Sequence, residues 1–245
     1  MATIQNWRMT FHPDVDDSEI AWAIQLYNSR EQIQWCLGLL RASYSKSRIV
    51  LINDGDGEDY SDIASRYRCT YVSGEHLHTL QTCHLYVERL LRALSEGDES
   101  YHFKIDPDTA VWRRFGVLPA FSCMFGTLET ITEGRLAEIE GPPNVQGGCI
   151  GMTSDVTTAL LSSNVLTRDA CARDAGGTWA RCDDMLRTAA GGQFCDDFVL
   201  SCAADKAGLA IVSHAEVKSR WRRRVARLPG HAVTHPHKCQ RWPKV

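Results

Sequence analysis

The chain has 245 residues, a formal net charge of −3 and a hydrophobic fraction of 44%, which suits a single α/β domain with a substantial buried core. No apolar run approaches the ~20 residues of a membrane span, and the start MATIQNWRMTFHPDVDD has neither the basic nor the apolar stretch of an export signal, so a cytoplasmic protein is expected. The ten cysteines contain no C-x-x-C pair, which speaks against zinc and for buried thiols in a reducing compartment; Cys171, Cys182, Cys195 and Cys202 could pair only in an exported protein.

In chain order, EIAWAIQLYN (19–28) reads as a buried strand. A helix follows in SREQIQWCLGLLRASYS, with Ile33, Leu37 and Leu40 at helical spacing and Ser29 placed to cap it. SRIVLINDGDG is a second buried strand running into an Asp/Gly turn, EDYSDIASRYR a short helix, and CTYVSG a third strand. TLQTCHLYVERLLRALSEG is the longest helical pattern, with Gly97 placed to end it, and SYHFKID is the fourth strand. This alternation predicts a mainly parallel sheet with helices on its faces, a Rossmann-like α/β fold. Ligands of such sheets bind at the carboxyl ends of the strands. That places Gln25 to Asn28, Asn53 to Asp56 and Asp106 to Asp108 along one rim.

Beyond Val111 the pattern loosens. AFSCMFGTLETIT is expected as a strand, EIEGPPNVQGGCIGMTS as a loop before a short apolar segment, SDVTTALLSSNVL as a helix, QFCDDFVLSCAADKAG as a helix with Asp196 and Asp197 near its start, and LAIVSHAEV as a last strand. A single domain is expected, with residues 18–111 as its first half, 112–213 as its second half and 214–245 as a basic tail. The tail carries nine Lys/Arg against one acid, Glu216. Its run KSRWRRRVARL, from Lys218 to Leu228, is expected as a basic helix, either packed on the acidic body or lying on an anionic membrane face. GHAVTHPHKCQRWPKV shows no regular pattern. Nucleic acid is not expected, because no base-reading motif or aromatic stacking platform accompanies the charge.

The sharpest chemical signal is Asp106-Pro107-Asp108 at the end of the fourth strand. Two carboxylates there can set hard oxygen donors near one Mg²⁺ or Mn²⁺, which in turn can neutralise a diphosphate. The bland alternative is a capped Asp-Pro turn. His76, His78 and His84 lack H-E-x-x-H spacing, and neither a G-x-S-x-G nor a P-loop sequence occurs.

IAWAIQLYNSREQIQWCLGLL, SRIVLINDGDGEDYSDIASRY and FKIDPDTAV resemble, in order and spacing, the nucleotide-binding half of the GT-A glycosyltransferases. GGCIGMTSDVTTALL resembles the Gly-Gly segment of Fringe-like members, and CDDFVLSCAADKAGL the acidic helix start of inverting ones. The resemblance implies a GT-A fold and a transferase that moves sugar from a nucleoside-diphosphate donor, UDP-linked by preference, to a glycan, lipid-linked or other hydroxyl acceptor. It assigns Asp106 and Asp108 to Mn²⁺ or Mg²⁺, with Asp106 also near the ribose. Asp54 becomes the base contact, with Gln25, Tyr27 and Asn28 lining the same pocket. Lys104 is either a phosphate contact or an ordinary exposed lysine. Asp197, with Asp196 beside it, becomes the general base of an inverting reaction, unless both acids merely favour a helix N-terminus. His235 or His237 would complete the metal site, with His214 a weaker candidate, and Lys238 and Trp242 would serve a retaining reaction. Two other classes stay open: a sugar-phosphate nucleotidyltransferase, disfavoured because LYNSREQ lacks a glycine-rich phosphate loop, and a sugar-nucleotide-binding module without turnover.

Overall fold

A short strand β1 (Phe11–Pro13) and a 3₁₀ turn at Asp17–Glu19 lead into strand β2 (Ile20–Leu26), which is buried along its whole length. The computed structural model describes residues 10–79, 82–129, 144–167, 196–221 and 226–236. Successive side chains of a strand face opposite ways, and β2 uses both faces. Ile20, Trp22, Ile24 and Leu26 enter one core with Ile33, Leu37 and Leu40 of helix α1 (Arg30–Ser43) and with Ile63 and Ala64 of α2 (Ser61–Tyr67). Ala21 and Ala23 enter the other core, with Val87, Leu90, Leu91 and Leu94 of α3 (Cys83–Leu94). That second core also takes Val156 and Leu160 of α4 (Ser154–Ser162) and Val199, Leu200, Ala203 and Ala204 of α5 (Asp196–Lys206). Helices therefore cover both faces of the sheet, as an α/β fold requires.

The remaining strands are β3 (Arg48–Asn53), β4 (Thr70–Ser73), β5 (Tyr101–Ile105), β6 (Ala110–Val111), β7 (Val117–Pro119), β8 (Cys123–Glu129), β9 (Asn144–Thr153), β10 (Ala210–Ser213), β11 (Val217–Trp221) and β12 (Val233–Pro236). The main sheet has seven strands in the order β10-β8-β9-β5-β2-β3-β4. β9 alone runs antiparallel to its neighbours β5 and β8; the other pairings are parallel. The chain proceeds outward from β2 to β3 and β4, then returns to β2's other side with β5. The crevice beyond the carboxyl ends of β2 and β5 is thus the topological switch point, where open α/β sheets bind ligands. β1 pairs antiparallel with β7, and β11, β12 and β6 form a small third sheet.

Several local expectations are corrected. The Gly147-Gly148 segment is not a loop but part of the ten-residue strand β9, and its glycines make room for neighbouring side chains. Residues 218–221, expected as the start of a basic helix, belong to strand β11 (Val217–Trp221), because its backbone pairs with β12; the membrane-surface helix is therefore not formed there. The patternless tail contains β12. Ser29 stands at the start of α1 but makes no side-chain cap, and α3 ends at Leu94, before Gly97. Cys36, Cys69, Cys123 and Cys149 are free thiols, as expected, while Cys171, Cys182 and Cys195 lie outside the described residues. Among the described residues no helix is long and apolar enough to cross a membrane.

Candidate functional site

β5 ends at Ile105, and Asp106-Pro107-Asp108 turns the chain at the switch point. The turn is closed by Thr109 N donating to Asp106 O at 3.0 Å. β6 begins two residues after Asp108 and pairs antiparallel with β12, Ala110 opposite Thr234 and Val111 opposite Val233. That register carries the next β12 residue, His235, back alongside the turn. Its Nε2 lies 2.9 Å from Asp108 Oδ1 and 3.3 Å from Asp106 Oδ2. One ligand atom from each of Asp106, Asp108 and His235 falls within 4.8 Å of the others. The floor under the imidazole is Gly148: a Cβ there would sit 2.0 Å from His235 Cγ. Burial pulls the imidazole's pKa down, but its bond to Asp108 and the charges of Asp106 and Asp108 outweigh that and hold it above the ordinary histidine value. Burial pushes the Asp106 carboxyl up, against the opposing pull of Lys104 and His235. The two carboxylates are hard oxygen donors of the kind that suit Mn²⁺ or Mg²⁺, and the imidazole adds a borderline nitrogen donor.

Behind this cluster lies Lys104, on the same strand and only 2% exposed. Its ammonium lies 2.6 Å from Asp106 Oδ1 and 2.7 Å from Asp196 Oδ2, and donates to Gly147 O at 2.8 Å. Lys104 is therefore neither an exposed lysine nor open to a phosphate, because its donors are spent inside the protein. Burial alone would lower its pKa, but Asp106 and Asp196 hold it well above the usual lysine range. Asp196 and Asp197 open α5, as expected. Burial would raise Asp196, yet the nearby Lys104, with His78 beyond it, holds that carboxyl below the usual range. Asp197 differs. It accepts from Gly147 N at 3.0 Å, but burial and the charge of Asp196 push it up to about 6. Two adjacent carboxyls thus end on opposite sides of their ordinary value.

On the β2–β3 side, Gln25 is buried and donates from Nε2 to Tyr86 O at 3.2 Å. Tyr27 is exposed, its ring centroid 4.8 Å from that of His76. Asn28 takes a left-handed backbone, φ 48°, and its N–H donates to Asp56 Oδ2 at 2.7 Å. Asp56 Oδ2 also accepts from Tyr60 Oη at 2.6 Å, so the Asp-Gly turn, with Gly55 and Gly57 at positive φ, latches the β2–α1 loop. Asp54, expected to face a base, is 1% exposed and turned inward. Its carboxylate accepts from Leu77 N at 3.0 Å and His78 N at 3.1 Å, and pairs with Arg89 and with His76 at 2.7 Å. Its acceptors are filled by the chain itself, which corrects the base-contact expectation.

His214 does not join the Asp106–Asp108–His235 cluster; its Nε2 meets Val117 O at 3.1 Å and its Nδ1 accepts from Glu216 N at 3.3 Å. His237, Lys238 and Trp242 lie outside the described residues. The sequence reading missed the support from Gly148 and the burial of Lys104. A signal for the latter was present: in YHFKI the lysine is the one cationic residue of a strand whose neighbours are buried on both faces.

No family model matches the chain, and no curated protein matches it. Among solved structures the chain is similar to mannosyltransferase PcManGT from Pyrobaculum calidifontis, determined in complex with GDP-Man and Mn²⁺. Identity is 13% and the TM-score 0.47, over 86% of this chain and 58% of that one. The chain thus spans somewhat more than half the length of that structure, and a likeness at this level assigns no activity.

Proposed function

We propose that the protein is a metal-dependent GT-A-type glycosyltransferase that moves a sugar from a nucleoside-diphosphate donor to a hydroxyl acceptor. The observation that carries this reading is the Asp106–Asp108–His235 cluster at the switch point of a parallel sheet, joined through Lys104 to two buried carboxyls at a helix start. Asp106, Asp108 and His235 would hold Mn²⁺ or Mg²⁺, which when bound supplies the positive charge that neutralises a diphosphate leaving group. Tyr27 offers an exposed ring on the same rim for stacking of a base.

Asp197 is the proposed general base. An alcohol attacks an anomeric carbon poorly until its proton is taken, and a carboxyl raised to about 6 is a stronger base than an ordinary aspartate while still ionised at neutral pH. One base opposite the leaving group gives a direct displacement with inversion. Asp196, held ionised by Lys104, anchors the helix start rather than taking the proton.

The test is turnover. Purified protein with Mn²⁺ and a panel of UDP- and GDP-sugars should release the free nucleoside diphosphate, UDP or GDP, from at least one donor, and release should stop with EDTA and in Asp197→Asn. Donor binding without release from any member, with water or sugar acceptors present, would instead mark a binding module. The anomeric configuration of the product separates inversion from retention.

A further inference from the structure

The Lys104 ammonium is buried and spent on three partners, so its function has to pass through those partners. One is the metal-site carboxylate Asp106, one is Asp196 at the start of α5, and one is the carbonyl of Gly147. The Gly147 N–H in turn donates to Asp197. The residue at 147 is held close: a Cβ there would sit 3.2 Å from Asp197 Cβ. One cation therefore sets the spacing between the β5 turn, β9 and the first turn of α5.

We infer that Lys104 is a positioning residue that fixes the Asp197 carboxyl, through Asp196 and Gly147, against the strand that carries the metal site. The inference rests on the glycosyltransferase reading for its consequence, but not for its geometry.

The charged groups facing Asp197 come from each element packed on it. Asp196 on its own helix and Asp106 beyond β5 disfavour its ionised form; Lys104 on β5 and the Gly147 N–H on β9 favour it. His78, ahead of α3, acts on Asp196. Without Lys104, Asp197 loses a facing cation and the anchor of its helix turn together. The metal side responds the other way. Asp106 loses a competing cation, so a residue that merely held the donor would weaken binding on removal, whereas this one would not.

The experiment compares wild type with Lys104→Met and with the double variant Lys104→Met/Asp196→Asn, which leaves no unpaired carboxylate at position 196 if the single variant does not fold. Three quantities are read: Mn²⁺-dependent UDP and GDP binding by calorimetry, turnover, and carboxyl titration of Asp197 by ¹³C NMR. The inference predicts nucleotide binding kept within about threefold or tightened, turnover down at least about 100-fold, and in the single variant an Asp197 midpoint at least about one unit higher. Binding weakened more than about tenfold would make Lys104 a donor-site residue and overturn the inference. So would turnover within about threefold of wild type in a folded variant, or an unmoved midpoint in the single variant. If wild type turns over no donor while the midpoint still moves as stated, the glycosyltransferase reading fails and the positioning of Asp197 stands.

Discussion

His235 and Asp108 are 127 residues apart in the chain and 2.9 Å apart in the structure. The β6–β12 pairing brings them together, and Gly148 provides the space in which the imidazole lies. The contact adds an imidazole to the two carboxylates of the Asp-Pro turn, and the three together could hold a metal ion.

Removing the imidazole should weaken the site. His235→Ala is expected to reduce Mn²⁺ affinity by about 10–100-fold. Gly148→Ala should do the same without deleting a ligand, because the added methyl occupies the ring's position. Mn²⁺ titration followed by electron paramagnetic resonance reads both. Affinity unchanged in both variants would mean that His235 is only a neighbour of the aspartates.

Asp197→Asn should lower turnover by about 10²–10⁴ while leaving donor binding intact. Wild-type turnover should rise with pH through about 6, as the proposed base loses its proton. Stability should run the opposite way. The folded state raises this pKa above the ordinary aspartate value, so it prefers the protonated form, and the associated stability is lost as pH rises through about 6. The Asn variant, which cannot ionise, should gain in melting temperature relative to wild type between pH 4 and pH 7. A constant difference across that range would refute the buried-carboxyl account.

Asp54→Asn should cost about 3 kcal/mol of stability, because it breaks a buried ion pair with Arg89 and disturbs the loop at Leu77 and His78. Nucleotide affinity should change by less than about threefold. Chemical denaturation and calorimetry read the two quantities separately. A large loss of affinity with normal stability would restore the base-contact role.

His102 gives the fold an acid-sensitive point away from the site. Its ring is 2% exposed and meets Thr157 Oγ1 at 2.8 Å, and burial pulls its pKa down to about 4. Here the folded state prefers the neutral ring. The stability it contributes is full above about 6.5 and falls away as pH drops toward 4, by about 3 kcal/mol. Replacing it with Gln should flatten that part of the stability curve in urea titrations; an unchanged slope would contradict the assignment.

The parallel half of the fold was legible because buried strands read as continuous apolar runs, as in IAWAIQL and RIVLIN, and because α1 and α3 repeat their apolar residues at helical spacing. β9 was hidden by its glycines, which normally weaken a strand; here they are needed because His235 and Asp197 press against it. β12 is four residues long in a basic, histidine-rich segment, so its strand character comes from pairing rather than from pattern. Asp106 and Asp108 stood out as chemistry-bearing residues. The inward turn of Asp54 did not, since it depends on Arg89, thirty-five positions downstream.

The most direct test of the central claim is calorimetric titration of UDP and of GDP, each with Mn²⁺, with EDTA, and against Asp108→Ala. The account predicts that at least one of the two binds with Mn²⁺, and that this binding disappears both with EDTA and in the variant. Binding that persists unchanged in EDTA and in Asp108→Ala, or no binding of either nucleotide with Mn²⁺ present, would contradict it.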